Sequence, residues 1–171
     1  MNLKETWIKK TASDEAWIDY LQSKGVTIGK GCEIYRDVVW GSEPYLIKIG
    51  DHVRITSGCR FITHDGGVWV LREKYGNDSI DLFGSIIVGD NVHIGMDSII
   101  MPGVKIGNNV IVGCGAVVTH DIPDGEVWGG VPARKIKTIE EYYSKNQERF
   151  EMTKHLSKEE KKRYLIEKYM K

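Results

Sequence analysis

Several features that often define a fold or a function are scarce in this sequence of 171 residues. Cysteine occurs only three times and without a CxxC pair, which argues against a disulfide framework or a zinc knuckle and predicts reduced thiols. No apolar run approaches the roughly 18 residues that a membrane span needs, and charges interrupt the N-terminal stretch where a signal peptide is apolar. We therefore expect a cytoplasmic protein without membrane insertion.

An excess of charge of one sign is also absent. Lys and Arg together number 24, as do Asp and Glu, so the formal net charge is zero. Proteins that bind nucleic acid usually carry a basic surface, so we expect no nucleic-acid partner. With 41% hydrophobic residues, the chain is long enough to bury one substantial core.

An aliphatic residue recurs at every sixth position in the second half of the chain, at Val88, Ile94, Ile100, Ile106, Val112 and Val118. Four positions after each of these stands a second apolar or small residue: Val92, Ser98, Val104, Val110, Ala116 and Ile122. A helix would need spacings of three and four, and a lone hairpin would not keep a six-residue phase for so long. Because such short strands cannot bury a face alone, the period predicts coils stacked into a parallel β-helix.

The same phase appears earlier, at Ile28, Ile34 and Trp40 and again at Ile49, Ile55 and Phe61. The second inward slot of these repeats holds Cys32, Val38, Val53 and Cys59. The phase breaks after Trp40, in a short insertion, and after Phe61, in a long excursion over residues 65–86 that is rich in aromatic side chains. A long loop on a rigid scaffold is typical of a functional lid, and packing against another subunit is the alternative.

Both ends of the chain carry helix signals. Ser13, followed by two acidic residues, predicts an N-terminal helical cap within residues 1–25. The segments Thr138-x-x-Glu141 and Ser157-x-x-Glu160 are typical of capping boxes and predict C-terminal helices within residues 138–171. The repeat domain then occupies residues 26–137.

A family resemblance rests on three segments: IGDHVRI, VGDNVHIGMDSIIMPGVKIGNNVIVGCGAVVTHDIPDG and the closing GGVPARKIK. They resemble the hexapeptide-repeat acyltransferases, which include galactoside, maltose and streptogramin acetyltransferases and polysaccharide O-acetyltransferases. The resemblance covers roughly residues 26–137. It implies a left-handed parallel β-helix with three hexapeptides per coil, a homotrimer, and acetyl-CoA as the acyl donor with no metal. Both breaks in the phase would then lie at one corner of the coil.

His64 is the predicted general base. It lies in the segment FITHDGG, and Asp65 next to it takes a slot that small or apolar residues hold elsewhere, so His64 lies at the mouth of the excursion. A histidine titrates at about pH 6.5, and a rigid edge can hold it against an acceptor proton. Members of the resembled family carry their catalytic histidine just ahead of such a loop. We interpret His52 and His93, which lie between the inward slots, as exposed side chains, and His155 as an exposed or packing residue.

The resemblance also implies contacts for the donor. In similar enzymes the pantetheine arm lies along the last coils, between subunits, and the nucleotide end meets the closing basic motif. The implied cofactor residues are Met96, Cys114, Thr119, His120, Arg134 and Lys137. Family members often have Lys at position 120 and Ala or Ser at position 114, so this sequence departs from the pattern there. Polar and aromatic groups suit sugars, and the predicted acceptor contacts are Tyr35, Tyr45, Asp65 and Trp69.

The expected reaction is direct transfer of acetyl from acetyl-CoA to a hydroxyl, or an amine, of a sugar or polysaccharide precursor. A streptogramin-type antibiotic acceptor is the alternative within the family. A γ-type carbonic anhydrase would need a metal held by histidines, and His52, His64 and His93 lack the close spacing of that family. A non-catalytic β-helix subunit is a further alternative. Covalent catalysis by Cys114 would need a base that the sequence does not place beside it.

Overall fold

The computed structural model describes residues 8–170. Residues 1–7 of the predicted N-terminal cap, and residue 171, lie outside the described residues. The chain divides into two compact units, and the division falls after Glu140. Within residues 8–170, no helix combines the length and the apolar character needed to cross a membrane.

A ten-residue helix, α1 (Asp14–Ser23), precedes the repeats. The Ser13 hydroxyl accepts a hydrogen bond from the N–H of Ala16 at 3.2 Å, and the acidic first turn favours the helix dipole. Trp17 and Leu21 are buried in the hydrophobic core. The helix predicted from the capping signal is therefore confirmed.

Short strands form three sheets that the chain visits in turn. The first sheet contains β1 (Thr27–Ile28), β3 (Ile47–Ile49), β6 (Ile86–Val88) and β9 (Lys105–Ile106). The second contains β2 (Glu33–Ile34), β4 (Arg54–Ile55), β7 (Val92–Ile94), β10 (Val110–Val112) and β12 (Glu126–Gly129), and the third contains β5 (Arg60–Phe61), β8 (Ile99–Ile100) and β11 (Val117–Val118). All these pairings are parallel; β13 (Arg134–Thr138) then pairs antiparallel with β12.

One passage through the three sheets takes 18 residues where no insertion intervenes, as the pairing of Asn91 with Asn109 illustrates. The predicted inward residues between Val88 and Ile122 are all buried, each no more than 2% exposed. The hexapeptide period therefore produces one continuous core, as predicted. Cys32 and Trp40, both in the first coil, are only half-buried.

One corner between the first and second sheets is tied by a side-chain ladder. His52, Asn91 and Asn109 all have a φ of 54°, a left-handed conformation that asparagine adopts more readily than most residues. His52 Nδ1 lies 2.8 Å from Asn91 Oδ1, and Asn91 Nδ2 donates to Asn109 Oδ1 at 2.7 Å. The ladder joins three consecutive coils at corner positions that lie between the strands.

The two breaks in the repeat meet at what we call the third corner, where the chain passes from the third sheet back to the first. The short insertion (residues 41–46) contains a 3-10 turn over Pro44–Leu46. The excursion contains an eight-residue helix, α2 (Val68–Tyr75), where the sequence predicted only a loop. This stretch lacks glycine and proline and is ended by Gly76 in a left-handed conformation, which explains the helix.

Backbone hydrogen bonds close the base of the excursion. His64 and Phe83 form an antiparallel bridge. On either side of it, the N–H of Gly84 donates to Thr63 O at 2.9 Å, and the N–H of Asp65 donates to Leu82 O at 2.8 Å. The excursion therefore leaves and rejoins the coil at one fixed point.

The second compact unit contains most of α3 (Ile139–Asn146) and all of α4 (Lys158–Tyr169). Ser157 and Glu160 form the predicted capping box at the start of α4. Between the helices, hydrogen bonds from Lys168 and from two tyrosine hydroxyls lower the pKa of Glu151 to about 2. These contacts fix the segment between α3 and α4 onto α4.

Candidate active site

His64 lies at the third corner with one ring nitrogen engaged. Its Nδ1 is 3.0 Å from Ser42 Oγ and 3.3 Å from Glu43 Oε2. The ring of Phe83 meets the His64 ring edge-on, with centroids 6.4 Å apart. The His64 side chain is 46% exposed, so the ring is held in place while part of it remains accessible.

Glu43 is the central acceptor of this corner. Its Oε2 accepts from Thr63 Oγ1 at 2.6 Å and from Ser42 Oγ at 3.0 Å, and its side chain is only 15% exposed. The hydrogen bond from Thr63 is the main cause that lowers the pKa of Glu43; bonds from Ser42 and His64 add to it, and partial burial opposes it. The carboxylate is therefore ionised near neutral pH.

The sequence did not identify Ser42, Glu43 or Thr63 as part of the site. Glu43 and His64 are 21 residues apart, and only the stacking of coils brings them together. The usable signal was an adjacent serine and glutamate in an insertion expected at the same corner as His64.

A cavity of about 340 Å³ opens beside the base of the excursion. Its lining comes from the excursion and from the next two coils: Asp65, Leu82, Phe83, Gly84, Met101, Pro102, Gly103 and Thr119. A Cβ atom on Gly84 would lie 2.4 Å from the backbone N of Gly103, so the two segments approach this closely only because position 84 is glycine. One predicted acceptor contact, Asp65, and one predicted donor contact, Thr119, thus line the same space.

The other predicted acceptor residues are distributed over the surface. Tyr45, in the short insertion, and Trp69, in α2, are largely exposed. Tyr35 lies at the corner after the second sheet, where its hydroxyl accepts a hydrogen bond from Arg54 at 3.5 Å. Within one chain, Tyr45 shares the insertion that contacts His64, whereas Tyr35 belongs to a different corner.

Two predicted donor contacts, Met96 and Cys114, occupy equivalent corners of consecutive coils. The N–H of Gly115 donates to Met96 O at 2.7 Å, which fixes the two corners together. Cys114 is exposed and Met96 is 49% exposed, so both are accessible from outside the coil.

The remaining predicted donor contacts lie near the end of the repeats. Thr119 Oγ1 is 2.8 Å from His120 Nδ1, and both side chains are exposed. Arg134 and Lys137 lie on β13, with Arg134 exposed and Lys137 half-buried. Both predicted phosphate contacts therefore lie on the strand that closes the repeat domain.

A larger groove, of about 730 Å³, lies on the second sheet and is lined by the His52–Asn91–Asn109 ladder. His93 lines it as well and is half-buried, so the interpretation of His93 as a simple exposed side chain is wrong. Burial is the main cause that lowers the pKa of His93, and the positive charge of Arg54 lowers it further. Among residues 8–170, no cluster of three or more His, Cys, Asp or Glu side chains is arranged to hold a metal ion.

Comparisons with known proteins agree with the repeat. Residues 85–120 match the family described as "Bacterial transferase hexapeptide (six repeats)". The chain is 53% identical over 153 residues to Protein CapG of Staphylococcus aureus, covering 88% of each chain. It is 34% identical to the galactoside O-acetyltransferase of Escherichia coli K12, covering 84% of this chain and 74% of that one.

Solved structures with the same fold include a maltose O-acetyltransferase from Clostridium difficile 630, with a TM-score of 0.56, 27% identity, and coverage of 78% of this chain and 81% of that one. A hexapeptide-repeat acetyltransferase from Vibrio cholerae, solved with acetyl coenzyme A, has a TM-score of 0.66 at 24% identity and covers 78% of this chain and 82% of that one. With the two sequence relatives matching most of their own length, the chain belongs to the hexapeptide-repeat acyltransferase family.

Proposed function

We propose that this protein transfers acetyl from acetyl-CoA to a hydroxyl of a sugar or polysaccharide precursor, with His64 as the general base. The observation that carries the proposal is the engagement of His64 Nδ1 by Ser42 and Glu43 at an open corner. A ring held through Nδ1 presents Nε2 to an acceptor, which is the geometry that a general base needs. The 34% identity to a galactoside O-acetyltransferase supports acetyl as the group and a saccharide as the acceptor.

The proposed chemistry needs no covalent enzyme intermediate. The acceptor hydroxyl loses its proton to His64 Nε2 as its oxygen attacks the thioester carbonyl carbon. A backbone N–H stabilises the developing oxyanion, and the C–S bond then breaks. The departing CoA thiolate takes the proton back from the His64 imidazolium, which leaves an acetyl ester, CoA as its thiol, and neutral histidine.

Donor contacts are proposed for both ends of acetyl-CoA. The exposed corners of Met96 and Cys114 would flank the pantetheine arm, with Thr119 and His120 on the following turn. Arg134 and Lys137 on β13 would meet the phosphates, because a guanidinium binds phosphate oxygens in a fork and a lysine adds a point charge.

Acceptor contacts and assembly complete the proposal. Asp65 lines the cavity beside the excursion, and Tyr45 and Trp69 project from the insertion and from α2. Tyr35 would contribute only from a neighbouring subunit, because it lies at another corner of its own chain. A left-handed sense of the coil, a homotrimer and a cytoplasmic location are proposed with this function, on the family resemblance and the composition.

The test is an assay of thiol release from acetyl-CoA with sugars, sugar nucleotides and streptogramin-type antibiotics as acceptors, with wild type and His64→Ala in parallel. Acceptor-dependent release that is lost in His64→Ala supports the proposal. Activity only with the antibiotics would replace the saccharide by a xenobiotic acceptor. Equal turnover by His64→Ala would overturn the role of His64, and the lack of any acetyl-CoA binding would overturn the acetyltransferase proposal.

A further inference from the structure

The hydrogen bonds around Glu43 have only one consistent set of directions. An ionised carboxylate can accept hydrogen bonds but has no hydrogen to donate. Oε2 of Glu43 is reached by Thr63 Oγ1 at 2.6 Å, Ser42 Oγ at 3.0 Å and His64 Nδ1 at 3.3 Å. Each of these three groups must therefore act as the donor toward Glu43.

Counting hydrogens then assigns the proton on His64. The Ser42 hydroxyl has a single hydrogen, and that hydrogen points to Glu43. The 3.0 Å contact between Ser42 Oγ and His64 Nδ1 consequently takes its hydrogen from the ring. Nδ1 carries the proton and shares it between Ser42 and Glu43, and Nε2 keeps its lone pair.

Thr63 fixes the carboxylate that receives these bonds. It is fully buried, its hydroxyl donates to Glu43 Oε2, and the same oxygen accepts from the N–H of Glu43 at 3.4 Å. The buried Thr63 hydroxyl therefore holds both the carboxylate and the backbone N–H of Glu43. If the Glu43 carboxylate turned away from His64, the hydrogen of this buried hydroxyl would lose its acceptor, which is costly.

We propose that Glu43, supported by Ser42 and Thr63, is a positioning residue that holds His64 in the Nδ1–H tautomer with Nε2 directed at the acceptor. This inference rests on the proposed function for its catalytic meaning, but the tautomer itself is a property of the free protein. The same carboxylate also stabilises the imidazolium that forms when Nε2 takes the acceptor proton.

A purely architectural role for these residues must be separated from positioning. Thr63 also contacts the short insertion at Gly41, where a Cβ atom would lie 2.6 Å from the threonine hydroxyl. Loss of Thr63 or Glu43 would loosen the insertion whether or not His64 takes part in catalysis. The decisive readouts are therefore the protonation pattern of the His64 ring and the division of an effect between kcat and KM.

The first experiment is nitrogen NMR of the full-length protein labelled with ¹⁵N-histidine, with His64→Gln used to assign the His64 signals. Near pH 8, wild type should show one protonated nitrogen, Nδ1, and one unprotonated nitrogen, Nε2. Glu43→Gln should show a mixture of the two tautomers. A His64 ring that is protonated at Nε2 in wild type, or a pattern unchanged by Glu43→Gln, would overturn the inference. This readout requires no substrate, so it stands whether or not the protein acetylates any member of the acceptor panel.

The second experiment is steady-state kinetics with the acceptor found in the thiol-release assay. Glu43→Gln should lower kcat by about tenfold or more while KM for acetyl-CoA stays within about twofold. Thr63→Val should lower kcat in the same way, and Thr63→Ser, which keeps the hydroxyl, should restore most of it.

The chain offers matched controls for both substitutions. Glu126 is a carboxylate of similar exposure, 14%, which accepts hydrogen bonds from Trp128 and Lys135. Thr56 is a buried threonine whose hydroxyl donates to Ile94 O at 2.7 Å. Glu126→Gln and Thr56→Val should leave kcat near that of wild type. Equal losses in the controls and in the Glu43 and Thr63 variants would assign the effect to general destabilisation and overturn the inference.

Discussion

His64 and His93 stand in contrasting surroundings on the same stack of coils. His64 is at an open corner, where a carboxylate and a hydroxyl engage one ring nitrogen. His93 is half-buried in a groove on the second sheet, where burial and a neighbouring guanidinium disfavour its charged form. The groove at His93 is about twice the volume of the cavity beside the excursion. If His64 is the base, as we propose, then convergent hydrogen-bonding groups rather than the size of a depression distinguish the histidine that transfers a proton.

The largest expected effect separates the two histidines by activity. His64→Asn should reduce kcat for acetyl transfer by about 10²- to 10⁴-fold, because general base catalysis contributes on that order. His93→Asn should stay within about threefold of wild type, because its ring is not part of the proposed proton path. Both are measured by thiol release under saturating acetyl-CoA. A loss in His93→Asn as deep as that in His64→Asn would remove the distinction.

The ladder that borders the groove gives the next effect. Asn91→Ala should lower the free energy of unfolding by about 1–2 kcal/mol, since alanine resists the left-handed φ of 54° and removes two side-chain hydrogen bonds. Asn91→Gly also loses the bonds but adopts that φ freely, so it should be more stable than Asn91→Ala. Urea unfolding of the three proteins measures both differences. Equal stabilities of the two variants would show that backbone strain contributes nothing at this corner.

A smaller effect concerns pH and stability. The folded protein lowers the pKa of His93, so below about pH 6.5 the unfolded chain binds the proton more readily than the folded chain does. The contribution of His93 to stability is thus complete above that pH and is lost as pH falls toward the lowered value. His93→Gln should flatten the decline of unfolding free energy between about pH 7.5 and pH 5.5. An unchanged slope in His93→Gln would contradict this sign.

The smallest expected effect lies on the floor of the same groove. Arg54 and Glu33 form an ion pair of 3.1 Å, with side chains 48% and 58% exposed. Exposed pairs contribute little in water, so Glu33→Gln should change the free energy of unfolding by no more than about 0.5 kcal/mol. Denaturation at low and high salt measures it. A loss of more than about 1 kcal/mol of unfolding free energy would mean that water screens this ion pair less than the exposure of its side chains indicates.

Much of this contrast could be predicted from the sequence, but not its decisive part. All the inward residues that the six-residue period predicted from Val88 to Ile122 are buried, and the break after Phe61 drew attention to His64. Local signals do not encode which side chains meet across stacked coils. The partnership of Glu43 with His64, and the shielding of His93 by its groove, arise only when residues 18 or more positions apart become neighbours. The helix α2 was missed because a run of only eight residues, with no capping side chain at its N-terminus, gives a weak local signal.

Hydrogen bonds between Thr63 and Gly84, and the bridge between His64 and Phe83, make the excursion a self-contained insertion. Backbone hydrogen bonds join the excursion to the coil at these two ends, so we expect the residues between them to be exchangeable without a shift in the register of the sheets. Lengthening such a loop is inexpensive, since each doubling costs about 0.6 kcal/mol in closure entropy. Under the proposed function, such a scaffold could acquire a new acceptor preference by replacing the excursion beside His64, while Ser42 and Glu43 keep their contacts with His64 from the separate short insertion.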